Sequence, residues 1–145
     1  VQAEFPAIAM VSDFDISIPE FEADPEQLTQ VVLNIVRNAA QALAGVPDPQ
    51  IRLETRVARG VTLGKKRHRL ALALSVEDNG PGVPEAIRER IFYPLVSGRD
   101  GGSGLGLTIA QTFVAQHGGT IEWTSVPGRT VFTILLPLEM TRGPA

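Results

Sequence analysis

The sequence predicts an α+β fold, a two-layer sandwich in which three helices cover one face of a mixed, mostly antiparallel sheet. Two observations support this prediction. The predicted strands come in hairpin pairs instead of alternating one-to-one with helices, and two long segments carry apolar residues at helical spacing. The predicted order along the chain is β-α-β-β-α-loop-α-β-β.

The composition indicates one ordinary water-soluble domain. A chain of 145 residues is long enough to bury about 70% of its unfolded surface. The net charge of -3 argues against a nucleic-acid partner, and no apolar run reaches the ~18 residues that a membrane span needs. Cys is absent, which excludes disulfides, thiolate metal sites and a cysteine nucleophile. We therefore expect a cytoplasmic domain that contacts neither nucleic acid nor membrane.

The first predicted elements are a strand and a capped helix. The segment Phe14–Ile18 alternates apolar and polar side chains, as a strand does. Asp24 is suited to cap a helix, Pro25 to occupy its first position, and Gln27 to complete a capping-box spacing. An apolar stripe at helical spacing follows, formed by Leu28, Val31, Val32, Ile35, Val36, Ala39 and Leu43. The glycine and prolines of 45–49 end this helix.

A long hairpin comes next. The segments Ile51–Arg59 and Arg69–Glu77 both alternate, and a basic turn over 60–68 joins them. A short helix is then predicted over Pro84–Phe92. Its end leads into Tyr93–Gly102, where Pro and Gly indicate a mobile loop.

The last third contains a helix and a second hairpin. Leu105–His117 carries helical apolar spacing, and two glycines follow it. Ile121–Val126 and Thr130–Leu136 are predicted strands around a Pro127-Gly128 turn.

The first chemically informative motif is Asp78-Asn79-Gly80-Pro81-Gly82, which follows a predicted strand. A carboxylate at a strand end can accept a hydrogen bond from an exocyclic amine such as that of adenine. Gly80 and Gly82 would let the backbone pass close to a flat base. An ordinary surface turn explains the pentapeptide equally well.

Asn34 and Asn38 stand four residues apart and therefore on the same side of the first long helix. An amide oxygen is a neutral, hard ligand that suits Mg²⁺, which typically shares its remaining positions with water and substrate phosphates. The alternative for either residue is a solvated polar helix face.

The second glycine cluster, Gly101–Gly106, precedes an amphipathic helix. Free amides at a helix N-terminus attract anions, so Gly102, Gly104, Leu105 and Gly106 are candidates to hold phosphate, with Arg99 reaching a terminal phosphate. The spacing is neither a dinucleotide fingerprint nor a P-loop. A flexible hinge before the helix is the alternative.

Two further candidates lie at the edges of this site. Phe92, with Pro94 and Leu95, forms an apolar cluster that either packs in the core or docks the loop as a lid. The Thr130 hydroxyl either bonds the base edge or makes a cross-strand contact.

The order and spacing of these motifs resemble the catalytic ATP-binding domain of sensor histidine kinases, the Bergerat or GHKL fold, over residues 13–139. The N box matches Asn34–Asn38, with Asn38 at the Mg²⁺-ligand position, and the first glycine box matches Asp78–Gly82, with Asp78 specifying adenine. The F box matches Phe92–Leu95, and the second glycine box matches Gly102–Gly106. Segment 128–137 is similar to the closing hairpin of the family.

Within that family, segments 34–43 and 92–99 look like the nitrogen-regulation kinases of bacteria. The resemblance implies ATP and Mg²⁺ as cofactors, with Asn34, Asn38 and Arg99 acting in catalysis. It also implies three partners: the protein's own dimerisation and phosphoacceptor domain in a homodimer, a response regulator of the nitrogen-response type, and a PII-type signal protein.

The phosphoacceptor itself is expected elsewhere. Neither His68 nor His117 lies in the family's phosphoacceptor context, and the chain begins with Val. We therefore expect a fragment in which 1–12 is a linker from an upstream phosphoacceptor domain, 13–139 is the catalytic domain and 140–145 is a tail.

Other functions of this fold remain open. ATPases of the gyrase, Hsp90 and MutL type use a carboxylate base four residues before the Mg²⁺-binding Asn to activate water. That position is Asn34 here, which argues against hydrolysis. An anti-sigma-factor kinase and a non-catalytic nucleotide sensor are the remaining alternatives.

Overall fold

The computed structural model describes residues 8–15, 23–63, 65–90 and 106–138. Within these ranges the chain forms a five-stranded sheet, two α-helices and one 3₁₀ helix, which confirms the predicted α+β class. The elements are β1 (Ala9–Asp13), α1 (Pro25–Ala42), β2 (Gln50–Leu63), β3 (Lys66–Asp78), the 3₁₀ helix (Glu85–Arg90), α2 (Gly106–Gln116), β4 (Thr120–Val126) and β5 (Arg129–Pro137).

The strands follow the order β1-β2-β3-β5-β4 in the sheet. Strand β1 runs parallel to β2, and the other neighbours are antiparallel, so the sheet is mixed as expected. Strand β5, the last of the described strands, lies between β3 and β4. Its register sets Asp78 opposite Thr130 and Thr130 opposite Ser125, so three strands meet at one end of the sheet.

The main core lies between the sheet and the two α-helices. Side chains from alternate positions of the strands pack against the apolar faces of α1 and α2, as the period-two and helical patterns require. Its most buried large members are Val31, Ile35, Ile51, Val76 and Val114, each at most 1% exposed.

Helix α1 begins where the sequence predicts. The Asp24 carboxylate accepts hydrogen bonds from the backbone N–H groups of Glu26 and Gln27, at 3.0 and 3.1 Å, and Pro25 follows it. The Asp24 N–H donates to Nε2 of His117, at 2.9 Å. Because His117 follows the end of α2, this bond joins the start of one helix to the end of the other.

The β2–β3 hairpin is confirmed, and it is longer than predicted. Its ladder continues to the pair formed by Leu63 and Lys66, inside the stretch expected to be a turn. Leu63 forms a small cluster with Ala73 and Leu135. The neighbouring register pair of β3 and β5 belongs to the main core, and successive residues of a strand point to opposite faces of the sheet. This small cluster therefore lies on the sheet face turned away from the helices. Burial of Leu63 explains why a basic segment stays in the ladder.

The first strand lies earlier than predicted. The prediction placed it at Phe14–Ile18, whereas β1 is Ala9–Asp13 and Ile8 is buried in the core. Phe14 follows the strand and is 55% exposed, and 16–18 lie outside the described residues. Four of the five residues of β1 thus lie in the segment 1–12 that was expected to be a linker. Apolar and polar side chains alternate only weakly along β1, because its pairing with β2 stabilises the strand more than its side-chain pattern does.

The helix count also differs. Three main helices were expected, and the described residues contain two α-helices. The short helix predicted over Pro84–Phe92 is the 3₁₀ helix Glu85–Arg90, because a segment this short gains too few hydrogen bonds to offset α-helix nucleation. Helix α2 starts at Gly106 and ends at Gln116, one residue inside the predicted bounds at each end.

Candidate functional site

The candidate site is built around three buried polar side chains at the end of the sheet. Asp78 ends β3, Thr130 lies opposite it on β5, and Ser125 lies opposite Thr130 on β4. Their exposed fractions are 4%, 4% and 6%. Register partners project from the same face of a sheet, so this polar row faces the helices. A polar row at the margin of an apolar core needs hydrogen-bond partners.

The first glycine motif forms a tight bend directly after this row. The Asp78 Oδ1 atom accepts a hydrogen bond from the Gly80 N–H, at 2.9 Å. A Cβ atom on Gly80 would lie 3.0 Å from that oxygen and 3.2 Å from the Ala42 carbonyl oxygen. A side chain at this position would therefore press on both the carboxylate and the end of α1, and these neighbours would have to shift by a few tenths of an ångström.

Gly82 continues the bend in a conformation that other residues rarely adopt, with φ of 95°. A Cβ atom there would lie 3.0 Å from the Ser125 Oγ atom and 3.3 Å from the Val126 carbonyl oxygen. The next residue, Val83, donates its N–H to Ser125 Oγ at 2.8 Å. Glycine thus lets the loop lie directly on β4, where the serine holds it.

Two further contacts fix the bend. The Gly128 N–H, in the turn between β4 and β5, donates to the Gly80 carbonyl oxygen at 2.8 Å. Asn79 accepts from the Gln50 N–H at 2.8 Å and donates to the Asp48 carbonyl oxygen at 2.9 Å. The glycine motif is therefore held from both sides, and the Asp78 carboxylate has a fixed position.

The predicted asparagines line α1 beside this bend. Asn34 and Asn38 are both half-buried, and the Gln30 side-chain amide donates to Asn34 Oδ1 at 2.7 Å. Ala42, which contacts the Gly80 bend, lies one turn beyond Asn38 and two turns beyond Asn34. At about 6 Å per four residues, the two amides lie progressively farther from Asp78 along α1.

The 3₁₀ helix is attached to β4 through Arg88. Its guanidinium donates to the Ser125 carbonyl oxygen at 3.1 Å and to the Val83 carbonyl oxygen at 3.5 Å. The same group lies 5.1 Å from the centre of the Trp123 ring. Arg88 thereby fixes the segment that follows the glycine bend.

The structure brings together part of the predicted site. Asp78, Gly80, Gly82 and Thr130 meet at the sheet end, with Asn34 and Asn38 on the adjacent helix, while Gly106 is the first residue of α2. The remaining predicted residues, Phe92, Arg99, Gly102, Gly104 and Leu105, lie outside the described residues. Their roles stay predictions.

Sequence reasoning missed Ser125 and Arg88. The signal for Ser125 was present, because a two-residue Pro127-Gly128 turn fixes the hairpin register and sets Ser125 opposite Thr130. Arg88 had no such signal, since its contacts with the Ser125 carbonyl oxygen and the Trp123 ring are made with strand β4, distant in sequence.

The polar groups at the end of the sheet suit the base of an adenine nucleotide better than a metal ion held by protein side chains alone. In residues 8–15, 23–63, 65–90 and 106–138, no three His, Cys, Asp or Glu side chains cluster closely enough to hold a metal ion. The described helices include none long and apolar enough to cross a membrane. A buried carboxylate and a buried hydroxyl instead lie opposite each other in the sheet, beside two closely packed glycines.

The family profile described as histidine kinase-, DNA gyrase B-, and HSP90-like ATPase matches residues 23–140. Over 132 residues, the chain is 52% identical to the sensory histidine kinase/phosphatase NtrB of Salmonella typhimurium, covering 91% of this chain and 38% of that protein. For the Rhodobacter capsulatus NtrB, the identity is 42% over 132 residues, covering 89% of this chain and 37% of that protein. The chain thus spans about two fifths of these relatives.

Solved structures agree on the architecture. The catalytic domain of histidine kinase ThkA, in a nucleotide-free form, superposes with a TM-score of 0.74 at 26% identity, covering 94% of this chain and 83% of that one. Full-length ShkA in complex with AMPPNP superposes with a TM-score of 0.73 at 25% identity, covering 99% of this chain and 28% of that one.

Proposed function

The chain belongs to the histidine kinase-, DNA gyrase B- and HSP90-like ATPase family, and from that premise we propose that it is the ATP-binding catalytic domain of a nitrogen-regulation sensor histidine kinase. The observation that carries the proposal is the buried pair of Asp78 and Thr130 beside Gly80 and Gly82, where a Cβ atom would be tightly crowded. The 52% identity to NtrB supports the nitrogen-regulation subgroup.

Asp78 and Thr130 are proposed to line a recess for the adenine end of ATP. Asp78 Oδ1 already accepts the Gly80 N–H, and a carboxylate has further acceptor sites for the exocyclic amine of adenine. Thr130, its register partner, offers a hydroxyl to the neighbouring edge of the base. Gly80 and Gly82 let the bend pack closely against α1 and β4, which fixes the Asp78 carboxylate in position. Burial of Asp78 and Thr130 limits the water that would compete for their hydrogen bonds.

The phosphates of ATP are proposed to bind at α1 and at the second glycine cluster. Asn38 would hold Mg²⁺ through its amide oxygen, and the ion would supply charge neutralisation on the phosphates. The backbone of Gly102, Gly104, Leu105 and Gly106 is proposed to hold the phosphate oxygens, with Arg99 at the terminal group. Phe92 is proposed to dock the loop over bound nucleotide.

The reaction is transfer of the γ-phosphoryl group to a histidine imidazole nitrogen, with ADP as the leaving group. Such transfer depends on positioning and charge neutralisation more than on covalent chemistry by the protein. Asn34 stands where hydrolytic relatives carry a carboxylate base, and an amide cannot take a proton from water. Its oxygen accepts from Gln30, which directs the Asn34 amide group to position the incoming imidazole.

The proposed partners follow from the same assignment. The acceptor histidine belongs to the protein's own dimerisation domain, in a homodimer, and a response regulator of the nitrogen-response type receives the phosphoryl group. A PII-type signal protein is proposed to shift the balance between kinase and phosphatase roles. We place these events in the cytoplasm.

The test combines the 145-residue chain with a separate domain that carries the phosphoacceptor histidine of a nitrogen-regulation kinase. With γ-labelled ATP and Mg²⁺, we expect acid-labile label on that domain, and none with the chain or the domain alone. Release of labelled phosphate without protein label would indicate an ATPase instead. Nucleotide binding with neither product would indicate a sensor, and absence of ATP binding would reject the proposal.

A further inference from the structure

Ser125 makes two hydrogen bonds that link the glycine bend to Thr130. Its Oγ atom accepts the Val83 N–H at 2.8 Å and lies 2.7 Å from Thr130 Oγ1, where either oxygen could be the donor. The side chain is 6% exposed. In the described part of the chain, these two groups are its hydrogen-bond partners.

The direction of the Ser125–Thr130 bond follows from counting donors. A hydroxyl has one hydrogen to donate and two acceptor sites. If Thr130 donated, the serine would accept twice and its own hydrogen would be buried without a partner, which native proteins avoid. If Ser125 donates, the serine hydrogen and the Val83 N–H both have partners. The one hydrogen left over is then that of Thr130, which can be donated to a ligand beside Asp78.

We propose that Ser125 is a positioning residue that orients the Thr130 hydroxyl as a hydrogen-bond donor and thereby selects adenine. Ser125 occupies one acceptor site of Thr130 Oγ1 with its own hydrogen. The Thr130 hydrogen is then directed toward the base, beside the Asp78 carboxylate on the neighbouring strand. This inference rests on the proposed function, because it assumes that the recess holds a purine base.

The resulting pattern of donors and acceptors matches one purine. Adenine presents an amine donor at position 6 and an acceptor at N1, which complement the Asp78 acceptor and a Thr130 donor. Hypoxanthine and guanine present the reverse, an O6 acceptor and an N1–H donor. A Thr130 hydroxyl held as a donor therefore rejects the 6-oxo purines at a second atom, in addition to the repulsion between O6 and Asp78.

The test is the base selectivity of Ser125→Ala. Dissociation constants for ADP and IDP are measured by titration calorimetry, because these nucleotides differ in the base only at position 6 and N1. Loss of the serine lets Thr130 rotate and accept the N1–H of IDP, so the ratio of IDP to ADP dissociation constants should fall by about threefold to tenfold. A serine that only supports the Val83 loop would weaken both nucleotides equally and leave the ratio unchanged.

A matched control is available on the same sheet. Ser75 Oγ lies 3.2 Å from Thr133 Oγ1 and forms a second cross-strand hydroxyl pair, on register positions facing away from the helices. Ser75→Ala removes a similar bond and should keep the wild-type ratio. A ratio that falls equally in both variants would overturn the inference, as would an unchanged ratio in Ser125→Ala.

A second measurement uses only the wild-type chain and therefore tests the inference even if the Ser125→Ala protein does not fold. The wild-type chain should bind 1-deaza-ADP, which lacks the N1 acceptor, about threefold to tenfold more weakly than ADP. Equal affinities would show that Thr130 does not donate to N1 and would overturn the inference. A wild-type chain that binds neither ADP nor IDP would instead reject the proposed function.

Discussion

The guanidinium of Arg88 lies 5.1 Å from the centre of the Trp123 ring and donates to the Ser125 carbonyl oxygen at 3.1 Å. Trp123 in turn stacks on Phe132, with ring centroids 6.1 Å apart, and Phe132 belongs to the main core. A half-buried arginine therefore connects the 3₁₀ helix to the core of the sheet. This contact stabilises the segment that leads from the Gly80–Gly82 bend toward the second glycine cluster.

Arg88→Ala should lower the free energy of unfolding by about 1–2 kcal/mol, because it removes a cation–π contact and hydrogen bonds to backbone carbonyls. Urea denaturation measures the change. Arg56→Ala is the control, since Arg56 is mostly exposed and pairs only with Glu54 among the described residues, so its removal should change stability by less than about 0.5 kcal/mol. Equal losses in both variants would contradict a structural role for the arginine stack.

Asp78→Asn should abolish most adenine-nucleotide affinity and retain the fold. The asparagine oxygen can still accept the Gly80 N–H, whereas its amide would meet the adenine amine donor to donor. We expect a loss of about 30-fold or more in ADP affinity by calorimetry, with little change in the unfolding midpoint. Glu77→Gln is the control: Glu77 precedes Asp78, faces the other side of the sheet and pairs with exposed Arg129. Retained ADP affinity in Asp78→Asn would remove the basis for the adenine assignment.

Asn38→Ala should remove the Mg²⁺-dependent part of ATP affinity. The substitution raises intrinsic helix propensity by about 0.6 kcal/mol, so the fold should survive. The dissociation constant for ATP, measured by titration with Mg²⁺ and with a chelator, should differ between the two conditions in the wild type. In the variant the two dissociation constants should become equal. Thr29→Ala, an exposed position on α1 that bonds only the Pro25 carbonyl among the described residues, should behave as the wild type. A variant that keeps the full effect of Mg²⁺ would exclude Asn38 as the ligand.

Gly119→Ala should be among the most damaging small substitutions in the chain. A Cβ atom there would lie 2.1 Å from the Leu135 carbonyl oxygen, so the backbone of β5 would have to move, at a cost of about 3 kcal/mol. Gly45→Ala is the comparison, because its Cβ meets open space and only its φ of 78° is unfavourable, costing about 1 kcal/mol. Thermal unfolding ranks the two, and a smaller loss for Gly119→Ala would contradict the close approach.

Local patterns predicted most of the secondary structure. Helix α1 is confirmed from its cap to its apolar stripe, because Asp24 and Pro25 act on neighbouring backbone and the stripe needs only helical spacing. Strand β1 was misplaced because its pairing with β2 depends on residues some forty positions later. The extension of the long hairpin was missed for a similar reason, since Leu63 is buried by Leu135 from the last strand.

The sequence by itself determined the candidate chemistry: a carboxylate at a strand end, glycines on both sides of a turn, and two amides one helical turn apart. Those features depend on residue type and short spacing. Only the tertiary structure decided which groups lie together, because insertion of β5 between β3 and β4 brings Asp78, Thr130 and Ser125 into one row. Strand order is set by packing of the whole sheet against α1 and α2, and no single segment encodes it.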